Sequence, residues 1–415
     1  MILGYPATAP TVDVVVVGAG VVGLLTAWTL RRRGLSVAVV DPDPGQGASR
    51  AAAGMLAPTS EVRYQQDPLH ALMHAAAGEY PDLMATLEEA AGSSVGYRAS
   101  ETLVCAADAA DRLALTDLRD HQVARGMDVQ VLTSRTARTL EPALSPRIAG
   151  AFLIPGDHQV DPRRVVSALL DVLTRREPVM AVRMIASAAV ELLTCPTGVV
   201  IGVALADGRR VMARETVLAP GTGLGAISGL PASARLPVRP VHGDILRVRV
   251  PRGAPQLLER TVRGVVGGRP VYLVPRADGE IVIGATERED GNDHPSVGGV
   301  HRLLQDAQTL VPAVVDLELH ESMARARPGS PDDRPFLGRV ADEEGEPVGG
   351  LVVSTGYFRH GILLAPLAAR LTADIVTGVQ PDPTDAAHLA AVDPGRFAAK
   401  GATPFAHHVT SEVPA

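Results

Sequence analysis

The stretch Val12-Asp13-Val14-Val15-Val16-Val17-Gly18-Ala19-Gly20-Val21-Val22-Gly23 decides the fold. A β-branched run passes directly into a Gly-x-Gly-x-x-Gly turn, and Leu24 to Arg33 then reads as a helix stopped by Gly34. Ser36 to Val40 reads as a second strand, ending in Asp41. Each residue type has a task in a unit that binds a dinucleotide. Gly18 makes the tight turn, Gly20 lets backbone approach a diphosphate, and Gly23 lets helix pack on strand. Val21 and Val22 sit where free N–H groups and the helix dipole would hold that diphosphate. Asp41, placed at the end of the second strand, can accept from both ribose hydroxyls and disfavours a 2′-phosphate, hence NADP.

The rest of the 415-residue chain is consistent with small-molecule chemistry. With 39 Lys+Arg against 46 Asp+Glu the net charge is −7, so there is no basic field for nucleic acid or anionic lipid. Lys400 is the only lysine, so an isolated arginine carries less meaning here than elsewhere. Cys105 and Cys195 form neither a disulfide framework nor a metal spacing and suit a reducing cytoplasm. Val14 to Leu30 is uncharged and followed by Arg31-Arg32-Arg33, the pattern of a signal anchor, but its glycines fall where a strand gives way to a helix. No membrane span or targeting segment is expected, and the location expected is cytoplasmic.

After Asp41 the pattern favours FAD over NAD. Instead of another strand and helix there is a turn, Pro42 to Gly47, then the small-residue run Ala48-Ser49-Arg50-Ala51-Ala52-Ala53-Gly54-Met55-Leu56-Ala57-Pro58, with no strand. Small side chains let backbone lie against a flat ring system, and Ser49 and Arg50 could donate to a diphosphate. An Ala-rich helix is the alternative. Pro68 to Gly92 reads as a helix carrying His70 and His74 at i,i+4, without a third metal ligand nearby, and no metal site is expected. Asp161-Pro162 starts a helix. Val199 to Leu205 and Val211 to Leu218 form a hairpin, after which Ala219-Pro220-Gly221 returns the chain to the dinucleotide. A β-rich stretch from Val238 to Thr286 follows, then a helix, Val300 to Leu310, and a strand, Val314 to Met323. Residues 381–415, with little apolar periodicity, read as a loosely attached tail, in which His407-His408 supports no metal site.

The run from Ser49 to Leu56 resembles the flavin-contacting segment of glycine oxidases, within the D-amino-acid oxidase and sarcosine oxidase superfamily. Gln159 to Arg164, Tyr272 to Arg276 with Gly284-Ala285-Thr286, Arg325 to Gly329, Pro335 to Gly338 and Gly356 to Pro366 are similar to later segments of that family, in order. The resemblance implies α/β plus α+β architecture: an FAD-binding Rossmann-like domain (residues 12–80, 150–225 and 325–380) with a discontinuously inserted antiparallel-sheet substrate domain (81–149 and 226–324). It also implies non-covalent FAD, since neither cysteine lies in a matching attachment segment. The implied reaction is hydride transfer from a small amino acid, glycine first, with O₂ as acceptor, giving H₂O₂ and an imine that feeds thiamine thiazole biosynthesis or hydrolyses to glyoxylate. A homo-oligomer, a tetramer in the family, is implied too.

Carried over by residue, Arg327 is the carboxylate anchor, Tyr272 its hydroxyl partner and Arg359 a cation near the flavin. Gly18, Gly20, Val21, Val22, Gly23, Asp41, Ser49, Arg50, Ala53, Gly54, Met55, Leu56, Gly221, Tyr357, His360, Gly361, Ile362 and Leu363 would contact the cofactor, the last three through helix N–H groups. Three positions depart from the family: Glu287 for an apolar residue, and Tyr357 and His360 for the usual His and Asn. They bear on the substrate, so sarcosine, a D-amino acid or a specialised-metabolite amine is an alternative. A flavin-binding protein without turnover is the alternative from another class.

Overall fold

The computed structural model describes residues 12–175, 182–342 and 344–397. The chain opens with β1 (Val12–Val17), α1 (Val21–Arg32), β2 (Val37–Val40), α2 (Ala48–Ala51), β3 (Met55–Leu56) and α3 (Asp67–Ala91). Next come β4 (Thr102–Ala106), α4 (Ala109–Val123), β5 (Gln130–Leu132), α5 (Ser134–Leu140), β6 (Gly150–Ile154), β7 (His158–Gln159) and α6 (Pro162–Thr174). Strands β8 (Arg183–Ile185), β9 (Ala189–Thr194), β10 (Val200–Leu205), β11 (Arg210–Leu218), β12 (Arg239–Arg249), β13 (Thr261–Val266), β14 (Arg269–Pro275) and β15 (Glu280–Gly284) lead to α7 (Val297–Leu310). The described chain closes with β16 (Glu318–Gly329), β17 (Phe336–Gly338), β18 (Leu351–Thr355), α8 (Gly361–Thr377) and α9 (Pro383–Val392).

Two sheets carry the molecule. The first runs β17-β18-β11-β1-β2-β8, with β10 and β9 continuing from β11. Its centre is parallel, β1 lying between β2 and β11. Both faces are covered, which is why residues 14–17 of β1 and the whole of β2 read as unbroken apolar runs. Val14 and Val16 face the helices α1, α3, α6 and α8, while Val15 and Val17 face the β9, β10 and β11 layer. Gly18 bridges strand to helix at φ +104, and a Cβ there would stand 2.2 Å from the Ala219 carbonyl oxygen. Gly23 packs so closely that its Cβ would lie 2.0 Å from the Gly18 carbonyl oxygen.

The second sheet runs β16-β12-β15-β14-β13-β4-β6-β5, antiparallel except for the parallel pair β13 and β4. Alternation assigns its faces. Leu246, Leu273 and Ile283 pack with Leu303, Ala307 and Leu310 of α7. Ile245, Val274, Val282 and Met323 turn the other way, onto Ala51 and Ala53 of the small-residue run. The two sheets therefore meet across that run.

The structure corrects several boundaries. The small-residue run does contain a strand, β3, paired with β7. Pro312–Asp316 is a 3₁₀ turn rather than strand, and β16 continues well past Met323 to Gly329. It is an edge strand, and its part beyond Met323 carries Arg325 and Arg327 and ends in Pro328-Gly329, so the apolar alternation used to find strands is missing there. Helix α3 packs with α6 and α8 as far as Ala91, whereas β6 and the whole of β16 pair in the second sheet. Residues 81–91, 150–154 and 325–329 thus lie on the opposite side of the expected division. The segment read as a loose tail is anchored up to Phe397. Helix α9 is N-capped by Asp382, Arg370 pairs with Asp385 at 2.6 Å, and Arg396 pairs with Asp332 at 2.9 Å while lying over Phe336. His407 and His408 lie outside the described residues.

Candidate active site

A cavity of about 400 Å³ opens between the sheets. At one end it is walled by Gly18, Gly20, Val21, Val22, Gly23 and Asp41, with Gly45, Gly47, Ala48, Ser49 and Ala219 to Thr222 beside them. Asp41 accepts from the Ala19 N–H at 2.7 Å and the Asp43 N–H at 2.8 Å, which pins the glycine turn beneath it. Ser49 Oγ accepts from Val21 N–H at 3.0 Å, at the start of α1. The expected partner of Ser49 behaves differently: Arg50 turns away from the cavity toward Glu321, 3.7 Å distant. Leu56 is likewise buried off the wall. Arg325, quoted in the sequence motif but given no role there, does line this cavity, its Nε donating to the Gln46 carbonyl at 3.0 Å.

Ala53, Gly54 and Met55 line the same cavity as Ser354, Tyr357, His360 and the first turn of α8, Gly361 to Leu363. Pro366 lies inside α8 and has no N–H, so the Ile362 carbonyl loses its helical donor. The buried Tyr80 hydroxyl of α3 supplies the replacement. Tyr357 is buried with its hydroxyl 2.8 Å from Ser354 Oγ, and burial pushes its pKa up. His360 is pushed down to about 3 by burial and by the neighbouring Arg359, so its ring is neutral, and its Nε2 has no partner among the described residues.

The far end belongs to the second sheet. Tyr272 on β14 and Arg327 on β16 line it together. Arg327 lies inside the strand rather than after it, opposite Val241 of β12. Its guanidinium lies over Gly243, where a Cβ would come within 2.3 Å of Nη1, and it donates to the Thr286 carbonyl at 3.3 Å. No acidic side chain pairs with it among the described residues. Gly284 makes equivalent room for the Tyr272 hydroxyl, 2.3 Å from where its Cβ would be. Burial raises the Tyr272 pKa, with Arg327 opposing, so the phenol stays protonated and able to donate.

Arg359 also lines the cavity, but it is paired with Glu61 at 3.1 Å, and Glu61 pairs on its other side with Arg263. Burial would push the Glu61 pKa up, yet Arg263 and Arg359 outweigh it and hold it well below the usual carboxylate range. Neither Glu61 nor Arg263 was picked out in the sequence. Arg263 had a signal: a charge interrupting the apolar strand Thr261-Val262-Arg263-Gly264-Val265-Val266, cross-strand from Tyr272. At the mouth Arg63 stands 3.8 Å from both Glu287 and Asp333. Glu287 is half-exposed and reaches both cavity rim and solvent. His70 and His74 have ring centroids 6.4 Å apart, and no group of three metal-ligating side chains occurs among the described residues.

The wall fits a flavin dinucleotide. The N-termini of α1 and α8 both reach it, and glycines and alanines line the middle. His360 Nε2 and Arg359 Nε and Nη2 are buried polar atoms without a partner among the described residues. A dinucleotide sheet that shares one cavity with a cationic pocket on a second, antiparallel sheet defines the flavin-dependent oxidoreductase class. Comparison with known proteins agrees. A family model described as FAD dependent oxidoreductase matches residues 13–375, and the chain belongs to that family, an FAD-dependent one with a Rossmann-like fold.

Among its relatives, the glycine oxidase of Geobacillus kaustophilus is 34% identical over 378 residues, 88% of this chain and 92% of that one. A crystal structure of glycine oxidase from the same organism superposes with a TM-score of 0.79 at 30% identity, covering 90% and 96% of the two chains. The bifunctional protein ThiO/ThiG of Trichormus variabilis is 33% identical over 383 residues, 90% of this chain but 54% of that one. The chain thus spans about half the length of these fused relatives. No helix of the described residues is long and apolar enough to cross a membrane.

Proposed function

We propose that this chain oxidises glycine: glycine, O₂ and water are converted to glyoxylate, ammonia and H₂O₂ by way of the imine. Non-covalent FAD, when bound, supplies the hydride acceptor for the substrate Cα–H and the route of the electrons to O₂. Cys105 is buried in the core of the second sheet and Cys195 lies beyond the cavity wall, which supports a non-covalent site. Gly18 to Gly23, Asp41, Ser49 and Arg325 hold the dinucleotide end, and the α8 N-terminus faces the ring. Arg50, turned toward Glu321, and Leu56, buried behind the wall, take no part in it.

The observation that carries the reading is Arg327: a guanidinium on the cavity wall, without an acid partner among the described residues, beside a protonated Tyr272 hydroxyl. Its two parallel N–H groups take the substrate carboxylate, and the Tyr272 hydroxyl donates a third bond, which fixes the Cα–H direction. No strong base is required, since the amine reacts as its free base. Names of relatives such as ThiO/ThiG support the imine's use in thiamine biosynthesis. Cytoplasmic location and assembly as a homo-oligomer, a tetramer on the resemblance, belong to the same proposal; light scattering of the purified chain tests the latter. The deciding experiment measures peroxide with glycine, sarcosine, D-alanine and D-proline. Glycine should give the highest kcat/KM with matching glyoxylate. A yellow protein that turns over none of them would refute the reading.

A further inference from the structure

We propose that Glu61 is an internal counter-anion that occupies the second anion site of this cavity and so restricts it to substrates carrying one carboxylate. The inference rests on the reading that the second-sheet end receives an amino acid. Three guanidiniums, Arg263, Arg327 and Arg359, line that end, and among the described residues only Glu61 pairs with any of them. Glu61 spans Arg263 and Arg359 and leaves Arg327 for the ligand. Its side chain is 12% exposed and is delivered by a pinned turn. The buried Asp157 carboxylate accepts from Thr59 and Ser60 N–H, each at 3.1 Å, and Gln122 donates to the Thr59 carbonyl at 2.9 Å.

Arg359 keeps two buried donors, Nε and Nη2, unpartnered among the described residues, so the site has hydrogen-bonding capacity for a further anion. What keeps a second carboxylate out is charge. It would have to share Arg359 with Glu61, and two carboxylates at one enclosed cation repel. Without the Glu61 charge, Arg263 and Arg359 lose their one direct ion-pair partner among the described residues, and a second ligand carboxylate is what would replace it. The spare cations of the pocket are thus held in reserve by an acid of the chain itself.

The test uses the FAD-loaded protein and unreactive anions, acetate with one carboxylate and malonate with two, titrated by calorimetry. Wild type should bind acetate more tightly than malonate. Glu61→Gln, which keeps the volume and loses the charge, should raise the malonate-to-acetate affinity ratio by about tenfold or more, while Glu61→Asp should leave it unchanged. Peroxide release should move in parallel, with iminodiacetate gaining on glycine in Glu61→Gln. A ratio unchanged in Glu61→Gln overturns the proposal. So does a wild-type protein that already prefers malonate, a measurement that stands even where a variant fails to fold. Because anion binding needs no turnover, a reversed ratio in a protein inactive on glycine would uphold the counter-anion and sink the glycine reading alone.

Discussion

Replacing Gly243 by alanine tests the carboxylate anchor without touching it. A Cβ at position 243 would lie 2.3 Å from Nη1, 2.4 Å from Nη2 and 2.6 Å from Cζ of Arg327. Non-bonded carbon contacts settle near 3.5–4 Å, so the guanidinium must retreat by roughly 1 Å or more. The atom displaced is the far end of a flexible side chain, and alanine in an extended strand costs nothing in backbone strain, so the fold should hold. A displacement of about 1 Å at the group that orients a substrate costs on the order of 10² in rate. That is about 2.7 kcal/mol of transition-state stabilisation.

Steady-state peroxide release should therefore show Gly243→Ala with kcat/KM for glycine down about a hundredfold at unchanged FAD content. In an Arg327→Ala background the same substitution should cost almost nothing further, because both changes remove one interaction. A Gly243→Ala protein with wild-type kcat/KM, or one whose defect adds fully to that of Arg327→Ala, would refute the assignment of Arg327.

Arg327→Lys keeps the charge and loses the two-pronged geometry, so it should raise KM and lower kcat for glycine, with Arg327→Ala worse on both; a conserved kcat in the alanine variant would move the anchor elsewhere. Tyr80→Phe leaves the Ile362 carbonyl, stripped of its helical donor by Pro366, without a partner and should cost about 1–3 kcal/mol in chemical unfolding; an unchanged midpoint would mean the carbonyl is satisfied another way. Burial pushes the Asp157 carboxyl from 3.8 up to about 6, so the native state favours its protonated form, and stability should fall as pH rises through that window. At about 1.4 kcal/mol per pH unit the loss is roughly 3 kcal/mol, and Asp157→Asn should flatten it; identical pH slopes for the two proteins would exclude Asp157 as its source.

The dinucleotide unit was legible because three independent signals coincide over Val12 to Asp41: a strand buried on both faces, glycines at the close approaches, and an acid at the second strand's end. The segments around Arg327 and Tyr272 were legible through resemblance, and the cavity does bring both residues together. Edge strand β16 was cut short because its far half, Ala324-Arg325-Ala326-Arg327-Pro328-Gly329, carries two arginines and ends in a Pro-Gly pair that reads as a turn. Arg50 was misplaced for a local reason. On a helix as short as α2, neighbours point about 100° apart, so Ser49 facing the α1 N-terminus sends Arg50 outward. Glu61 could not be found at all. Its meaning comes from Arg263, 202 residues further on, and from Arg359 beyond that.

Arg276 shows how the two sheets are fastened across the cavity. It leaves the end of β14, is almost fully buried, and donates through Nη1 to the Gln159 side chain and the Val160 carbonyl, both at 2.9 Å, and through Nη2 to the Ala53 carbonyl. Burial lowers its pKa only to about 10, so it stays charged, and its acceptors are mainly neutral carbonyls. Such a contact adds little Coulomb energy, but leaving those carbonyls without their donor would cost each its desolvation penalty. The consequence is geometric. The segment Ala53 to Met55, which lines the cavity where the ring is proposed to lie, is tied through Arg276 to the end of the strand, β14, that presents Tyr272. Cofactor wall and substrate wall therefore share one strand, and a reaction that depends on aligning Cα–H with the ring needs that registration more than it needs any additional charged group.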